Sequence, residues 1–240
     1  MKNVELAQGK IPLNIKKPIL RWNIFLIISS IVQLIGWFLA LFFIGSDTDQ
    51  GNVYRIIFVH VPVAWCSFFW VFVSALFAIL VFIKPQKAEI YDRSSYTSLE
   101  LGTLFSFLTL LTGSIWGRPT WGVWWDWDPR LTSSLVMFLV CSGYLILRHF
   151  TPDAKTKRNM SAIISILGAI NVPIVYYSVN LWRSLHQPQT FIEKTQNASS
   201  DISLVLLFNF TAMFILSIAI YKTRRQAVSA KETLETARSE

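Results

Sequence analysis

Long apolar stretches separated by short polar segments dominate the pattern of the chain. Six of them reach the length of about 20 residues that a helix needs to cross a hydrocarbon core. They lie at about 22–45, 56–83, 98–116, 131–148, 160–182 and 202–221. Strands are excluded because the stretches are long and do not alternate, and lipid admits only helices or closed barrels. The pattern predicts an all-α polytopic membrane protein with six transmembrane helices, forming a single integral membrane domain over residues 1–240.

The composition agrees with a membrane protein. The chain is 53% hydrophobic and 15% charged, whereas a soluble domain carries about 25% charged residues. This excludes a secreted disulfide scaffold, a disordered chain and a soluble nucleic-acid binder, although the net charge is +8. The two cysteines, Cys66 and Cys141, form no CxxC or CxxCH motif, so neither a thiol redox pair nor covalent heme attachment is predicted.

The lysines and arginines are concentrated in alternate segments between the predicted spans. Seventeen of the 22 lysines and arginines fall in the N-terminal segment, the second and fourth loops and the C-terminal tail. By the positive-inside rule these segments are cytoplasmic, so both termini are predicted to be cytoplasmic. The loops at about 46–55, 117–130 and 183–201 then face the other side. Membrane insertion and attraction to anionic lipid account for the basic excess, so we predict a lipid partner and no nucleic acid.

The segment 116–132 is unusual because it holds five of the ten tryptophans. A spacing of i, i+3, i+4 and i+7 would place four side chains on one face of a short helix, namely Trp121, Trp124, Trp125 and Asp128. Pro119 would open this helix and Pro129 would stop it. The sequence therefore predicts an external, tryptophan-rich amphipathic segment lying on the outer leaflet.

Two interpretations of this segment are open. Tryptophan is common at membrane interfaces, where it anchors helix ends. Such anchors are normally scattered, whereas here five indoles share one loop, so we favour a site for a large, flat, apolar ligand that stacks on aromatic faces. Charged neighbours would then meet the polar edge of the ligand, and these are Arg118, Asp126, Asp128 and Arg130.

Two histidines are predicted on the same side of the membrane as the tryptophans. His60 lies near the outer end of the second span and His186 lies just past the outer end of the fifth. Two imidazoles from different elements can ligate one heme iron, but the spacing alone favours two separate interfacial residues. Arg55 and Arg130 could pair with carboxylates such as heme propionates, although snorkelling at a helix end explains each of them equally well.

The run from Trp116 to Thr132 resembles the tryptophan-rich "WWD" signature of the heme-handling membrane proteins of cytochrome c biogenesis. CcmC, the longer CcmF and CcsA share the core of this signature. The ending Arg130-Leu131-Thr132 and the six spans in 240 residues resemble CcmC.

The resemblance implies a function and a set of site residues. It implies that His60 and His186 are axial heme ligands, and that Arg55 and Arg130 meet the propionates. It implies a porphyrin platform that consists of Trp116, Trp121, Trp124, Trp125, Trp127 and Asp128. The family binds heme b at the periplasmic face of the bacterial inner membrane and passes it to the heme chaperone CcmE, beside the CcmA/CcmB ATP-binding cassette transporter and CcmD. The chain would then be a transfer scaffold and not an enzyme.

Two rival functions belong to other classes. A permease would need polar residues at the span centres, where Asn171 and scattered serines and threonines are the main candidates. An intramembrane metal-dependent enzyme could use His60, His186 and Asp128, but the chain has no HExxH motif. An absorption spectrum discriminates between them, because only a heme-binding chain has a Soret band.

Overall fold

The computed structural model describes residues 13–182, 184, 186 and 200–239, with side chains from residue 23 to residue 231. The basic residues that precede Leu13 and most of the predicted third external loop lie outside the described residues. The described residues form six α-helices, α1 Leu13–Phe42, α2 Ile57–Ile83, α3 Ala88–Trp121, α4 Pro129–Phe150, α5 Ala154–Leu181 and α6 Ser200–Ser239. All six contain a stretch long and apolar enough to cross a membrane, which confirms the predicted fold class.

Helices α2 and α3 form the central pair of the bundle, and α5 and α6 pack against α2. Helix α4 packs on α5, and α1 lies along α6 with only slight contact to α2. Short 3-10 helices at Asn52–Ile56 and Pro85–Lys87 lead into α2 and α3. Many large apolar side chains are exposed, mainly isoleucine, leucine and phenylalanine, as expected for helices whose outer faces contact lipid chains.

Small hydroxyl side chains line the contact between α2 and α3. Ser67 and Ser74 are seven residues apart on α2, and both are buried. The Ser67 hydroxyl lies 2.7 Å from that of Ser106, and the Ser74 hydroxyl lies 3.1 Å from that of Ser95. Ser74 also donates to the Ser165 hydroxyl of α5 over 3.0 Å. Small residues let membrane helices approach closely, and mutual hydrogen bonds satisfy polar groups that lipid cannot.

Gly102 sets the distance between α2 and α3. A Cβ atom at this position would lie 2.8 Å from Val71 Cγ2 and 3.1 Å from the Val71 backbone nitrogen. We expect Gly102→Ala to lower the free energy of unfolding by about 1–3 kcal/mol, because the two backbones must move apart. Thermal unfolding of the full chain in detergent measures this. Gly143→Ala is the matched control, since its added Cβ meets nothing within 4 Å, and equal effects of the two substitutions would contradict the prediction.

Several helices extend beyond the apolar stretches that predicted them. The third span, predicted at about 98–116, is the middle of a helix that runs from Ala88 to Trp121. The polar first turns of α3 are stabilised by partners on other helices: Asp92 binds Arg148 of α4, and Arg93 donates to Ser229 of α6. Hydropathy detects only the part of a helix that meets hydrocarbon, so such polar extensions escape it.

The predicted short helix between Pro119 and Pro129 is wrong. Helix α3 continues through Pro119 and ends at Trp121, where Gly122 adopts a left-handed conformation with a φ of 82°. Residues 123–128 are not helical, and Pro129 begins α4 instead of ending a helix. Asp128 caps α4, because its Oδ1 accepts a hydrogen bond from the Arg130 backbone nitrogen over 2.8 Å. The tryptophan-rich segment therefore consists of the last turn of α3 and a non-helical connection that leads to α4.

Candidate functional site

The imidazole of His60 lies against the C-terminal part of α3. His60 is in the first turn of α2, and its Nδ1 lies 2.9 Å from the Thr112 hydroxyl. Gly113 gives the ring its space, since a Cβ there would lie 3.2 Å from His60 Cε1. The Trp116 indole meets the ring edge to face, with centroids 5.6 Å apart. The central helix pair thus fixes His60 at the end of the bundle that carries the tryptophans.

The loop between α1 and α2 packs onto the end of the bundle that carries the tryptophans. Trp116 donates from its indole nitrogen to the Gln50 side chain over 2.8 Å. Arg55, predicted to meet a propionate, donates from Nε and Nη2 to the carbonyl of Ile44, over 3.2 and 2.7 Å. In this structure Arg55 therefore ties its own loop to the end of α1.

His186 meets the tryptophan-rich segment from the other side. Its ring centroid lies 4.8 Å from that of Trp121, and its Nδ1 lies 3.3 Å from Asp128 Oδ1. The Trp121 ring lies over Gly117, where a Cβ would come within 3.1 Å of the indole. Asp128 is buried, with its side chain 2% exposed. One carboxylate therefore both caps α4 and contacts the imidazole.

The His186 imidazole is electrically neutral at pH 7. Burial, together with the positive charge of Arg130, lowers the pKa of His186 to about 4, although the Asp128 carboxylate acts in the opposite direction. A neutral imidazole offers a nitrogen lone pair to a metal. His60 also interacts electrostatically with His186 and Arg130, so the three groups act on one another within one region.

The remaining tryptophans are more exposed. Trp124 is 60% exposed and Trp127 is 75% exposed, while Trp125 is half-buried and meets the Trp127 ring with centroids 5.8 Å apart. Arg130, the second predicted propionate partner, donates to the Tyr176 carbonyl over 3.1 Å. The structure thus brings His60 to Trp116, and His186 to Trp121, Asp128 and Arg130, and leaves Trp124 and Trp127 on the surface.

Sequence reasoning missed the residues that seat these side chains. Thr112, Gly113 and Gly117 lie in the C-terminal part of α3, and Gln50 lies in the first loop. The spacing of Gly113 and Gly117 by four residues, beside Trp116, was a detectable signal, because small residues at this spacing mark close contacts of membrane helices. Among the described residues, no three His, Cys, Asp or Glu side chains are grouped closely enough to hold a metal ion.

The fold and the site define a class, which is a polytopic helical membrane protein with two imidazoles and a cluster of indoles at one end of its bundle. The family model of heme exporter protein C, CcmC, matches residues 3–239, and the chain belongs to this family.

Individual relatives agree with the family match. The chain is 39% identical over 177 residues to heme exporter protein C of Bradyrhizobium diazoefficiens, which covers 71% of this chain and 65% of that protein. It is 37% identical over 170 residues to heme exporter protein C of Escherichia coli strain K12, covering 70% of this chain and 68% of the relative. A ccmC-like mitochondrial protein of cytochrome c biosynthesis from Marchantia polymorpha is 34% identical over 194 residues, which covers 80% of this chain and 82% of that protein. The chain is therefore a heme-handling membrane protein of cytochrome c maturation.

Proposed function

We propose that this chain binds heme b at the periplasmic face of the bacterial inner membrane and delivers it to the heme chaperone CcmE. It acts in complex with the CcmA/CcmB ATP-binding cassette transporter and CcmD. The observation that carries the proposal is the pair of imidazoles, His60 and His186, at the end of the bundle that also holds the exposed indoles.

The donor set suits heme iron. Two imidazoles from different elements are a common axial ligand pair for heme. Each Nδ1 already has an oxygen neighbour, the Thr112 hydroxyl for His60 and the Asp128 carboxylate for His186. The Nε2 atoms are therefore the nitrogens that would bind the iron. Arg130 lies within electrostatic range of both imidazoles and would attract a propionate.

The tryptophan-rich segment supports a platform for the porphyrin. Trp116 and Trp121 contact the two imidazoles, and the connection after Gly122 carries Trp124, Trp125, Trp127 and Asp128. Indole faces bury a flat apolar ring at little cost in conformational entropy. Because Trp124 and Trp127 are exposed, one edge of a bound porphyrin would remain open to a partner.

The chain is a scaffold in this proposal, and it catalyses no bond-making chemistry of its own. Its residues hold the heme, orient it and keep one vinyl edge accessible, while the covalent bond forms to a residue of the chaperone. The distribution of lysines and arginines supports cytoplasmic termini and a periplasmic heme site. The apolar outer faces of the helices contact membrane lipid.

An absorption spectrum of the detergent-purified full chain tests the proposal. We expect a Soret band with the character of two imidazole ligands, either as purified or after addition of hemin. A chain that takes up no hemin at micromolar concentrations would refute heme binding, and a permease or a metal-dependent enzyme would behave in that way.

The exposed indoles allow retention and delivery of heme to be separated. We expect Trp124→Ala and Trp127→Ala to keep most of the heme but to slow its transfer to purified CcmE about 10-fold or more, because exposed tryptophans dominate contact energies when a partner buries them. The measurement is the rate of covalent heme attachment to CcmE. Phe150→Ala is the control, since this side chain is 76% exposed at the other end of the bundle. Unchanged transfer in both tryptophan variants would contradict a role of these indoles in delivery.

A further inference from the structure

The hydroxyl of Thr112 has a defined direction. It donates its single hydrogen to the Leu108 carbonyl one turn earlier in α3, over 2.7 Å. The same oxygen lies 2.9 Å from His60 Nδ1. A hydroxyl has one hydrogen and two lone pairs, so the Thr112 oxygen accepts at the imidazole and Nδ1 donates. In the neutral ring this places the proton on Nδ1 and leaves the lone pair on Nε2.

The neighbouring residue restricts the same ring from a second direction. Gly113 follows Thr112, and the space that a Cβ would fill there is taken by the edge of the His60 ring, 3.2 Å away at Cε1. The hydrogen bond sets the rotation of the ring and the contact with Gly113 sets its depth against α3. His60 is thereby held in one tautomer and one orientation by two consecutive residues of α3.

We propose that Thr112 is a positioning residue for heme ligation, which holds His60 as the Nδ1–H tautomer so that Nε2 meets the iron. This inference rests on the proposed function of the site. The surroundings of the two imidazoles also differ, because Asp128 Oδ1 lies 3.3 Å from His186 Nδ1, whereas the oxygen beside His60 Nδ1 is a neutral hydroxyl.

Three variants of the full chain test the proposal. Thr112→Val removes the hydroxyl but keeps the branched shape, and Thr112→Ser restores the hydroxyl. Thr109→Val is the matched control, because the Thr109 hydroxyl makes the same type of bond, to the Phe105 carbonyl over 2.8 Å, one turn further into α3. Each variant is purified in detergent, and its hemin affinity and its heme midpoint potential are measured.

We expect Thr112→Val to weaken hemin binding about 10–100-fold, the range for loss of a partner behind a metal-ligating histidine. Its midpoint potential should shift to more positive values, because a less basic imidazole stabilises ferric iron less well. Thr112→Ser should restore both quantities and Thr109→Val should leave both unchanged. An unchanged affinity and potential in Thr112→Val would overturn the proposal, as would a loss that Thr112→Ser does not restore. Failure of the unmodified chain to bind hemin would instead refute the proposed function on which it rests.

Discussion

A chain in which both His60 and His186 are replaced by alanine is expected to purify without heme. Loss of a hydrogen-bond partner behind a metal-ligating histidine weakens metal binding about 10–100-fold. Each single histidine replacement should weaken hemin binding by more than this, because it removes a bond to the iron itself. The Soret band of each single variant should also change to that of a heme with one imidazole ligand. Absorption spectra and hemin titrations of the detergent-purified variants measure these effects.

The third histidine provides the matched control. His149 lies at the opposite end of the bundle, in the last turn of α4, where its ring meets Phe150 edge to face with centroids 5.5 Å apart. His149→Ala should therefore leave the heme content and the spectrum unchanged. Heme binding that survives the double replacement with an unaltered spectrum would show that other groups ligate the iron.

The largest expected effect on stability concerns a charge pair at the end opposite the tryptophans. Asp92 of α3 binds Arg148 of α4 through both carboxylate oxygens, at 2.8 and 2.6 Å. The guanidinium also lies 4.6 Å from the Tyr96 ring centroid, and the two charged side chains are only 13% and 14% exposed. Asp92→Ala leaves this buried cation without its counter-ion, so we expect a loss of about 3–5 kcal/mol in the free energy of unfolding.

A second ion pair allows a direct comparison. Glu100 pairs with Arg224 at 2.6 Å, but this arginine is 45% exposed. Because solvent screens exposed pairs, Glu100→Ala should cost less than about 1 kcal/mol. Thermal unfolding of the full chain in detergent distinguishes the two cases. The double variant Asp92→Ala with Arg148→Met should recover part of the loss, since it removes the unpaired charge, and similar costs for Asp92→Ala and Glu100→Ala would contradict this account.

The helices could be predicted because hydropathy reports directly on burial in lipid. Their number and order, as well as the position of the tryptophan-rich segment, follow from the sequence alone. The helix ends do not, because contacts such as Arg93 with Ser229 depend on helices that are distant in sequence. The proximity of His60 and His186 could not be predicted for the same reason. They are 126 residues apart in sequence, and the packing of α2, α3 and α5 brings the residues around them together.

The short helix was predicted wrongly for a specific physical reason. The spacing of Trp121, Trp124, Trp125 and Asp128 matches a helical face, but in a segment so rich in tryptophan such a match carries little information. Asp128 followed by Pro129 is a typical start of a helix, with a carboxylate cap and a proline at the first helical position. Gly122 provides the left-handed residue that ends α3. These local signals outweigh the periodicity, and they leave Asp128 at the turn where it contacts His186.

The attachment of α1 has a consequence for biogenesis. The main neighbour of α1 is α6, which is synthesised after the other five described helices. Gln33 donates to Asn209 over 3.0 Å, and Asn209 donates to the Gly36 carbonyl over 3.0 Å. Until translation reaches α6, the amide of Gln33 must stay in the bilayer without this partner. An interrupted translation product therefore carries a polar group that the complete protein conceals, which distinguishes unfinished molecules from finished ones.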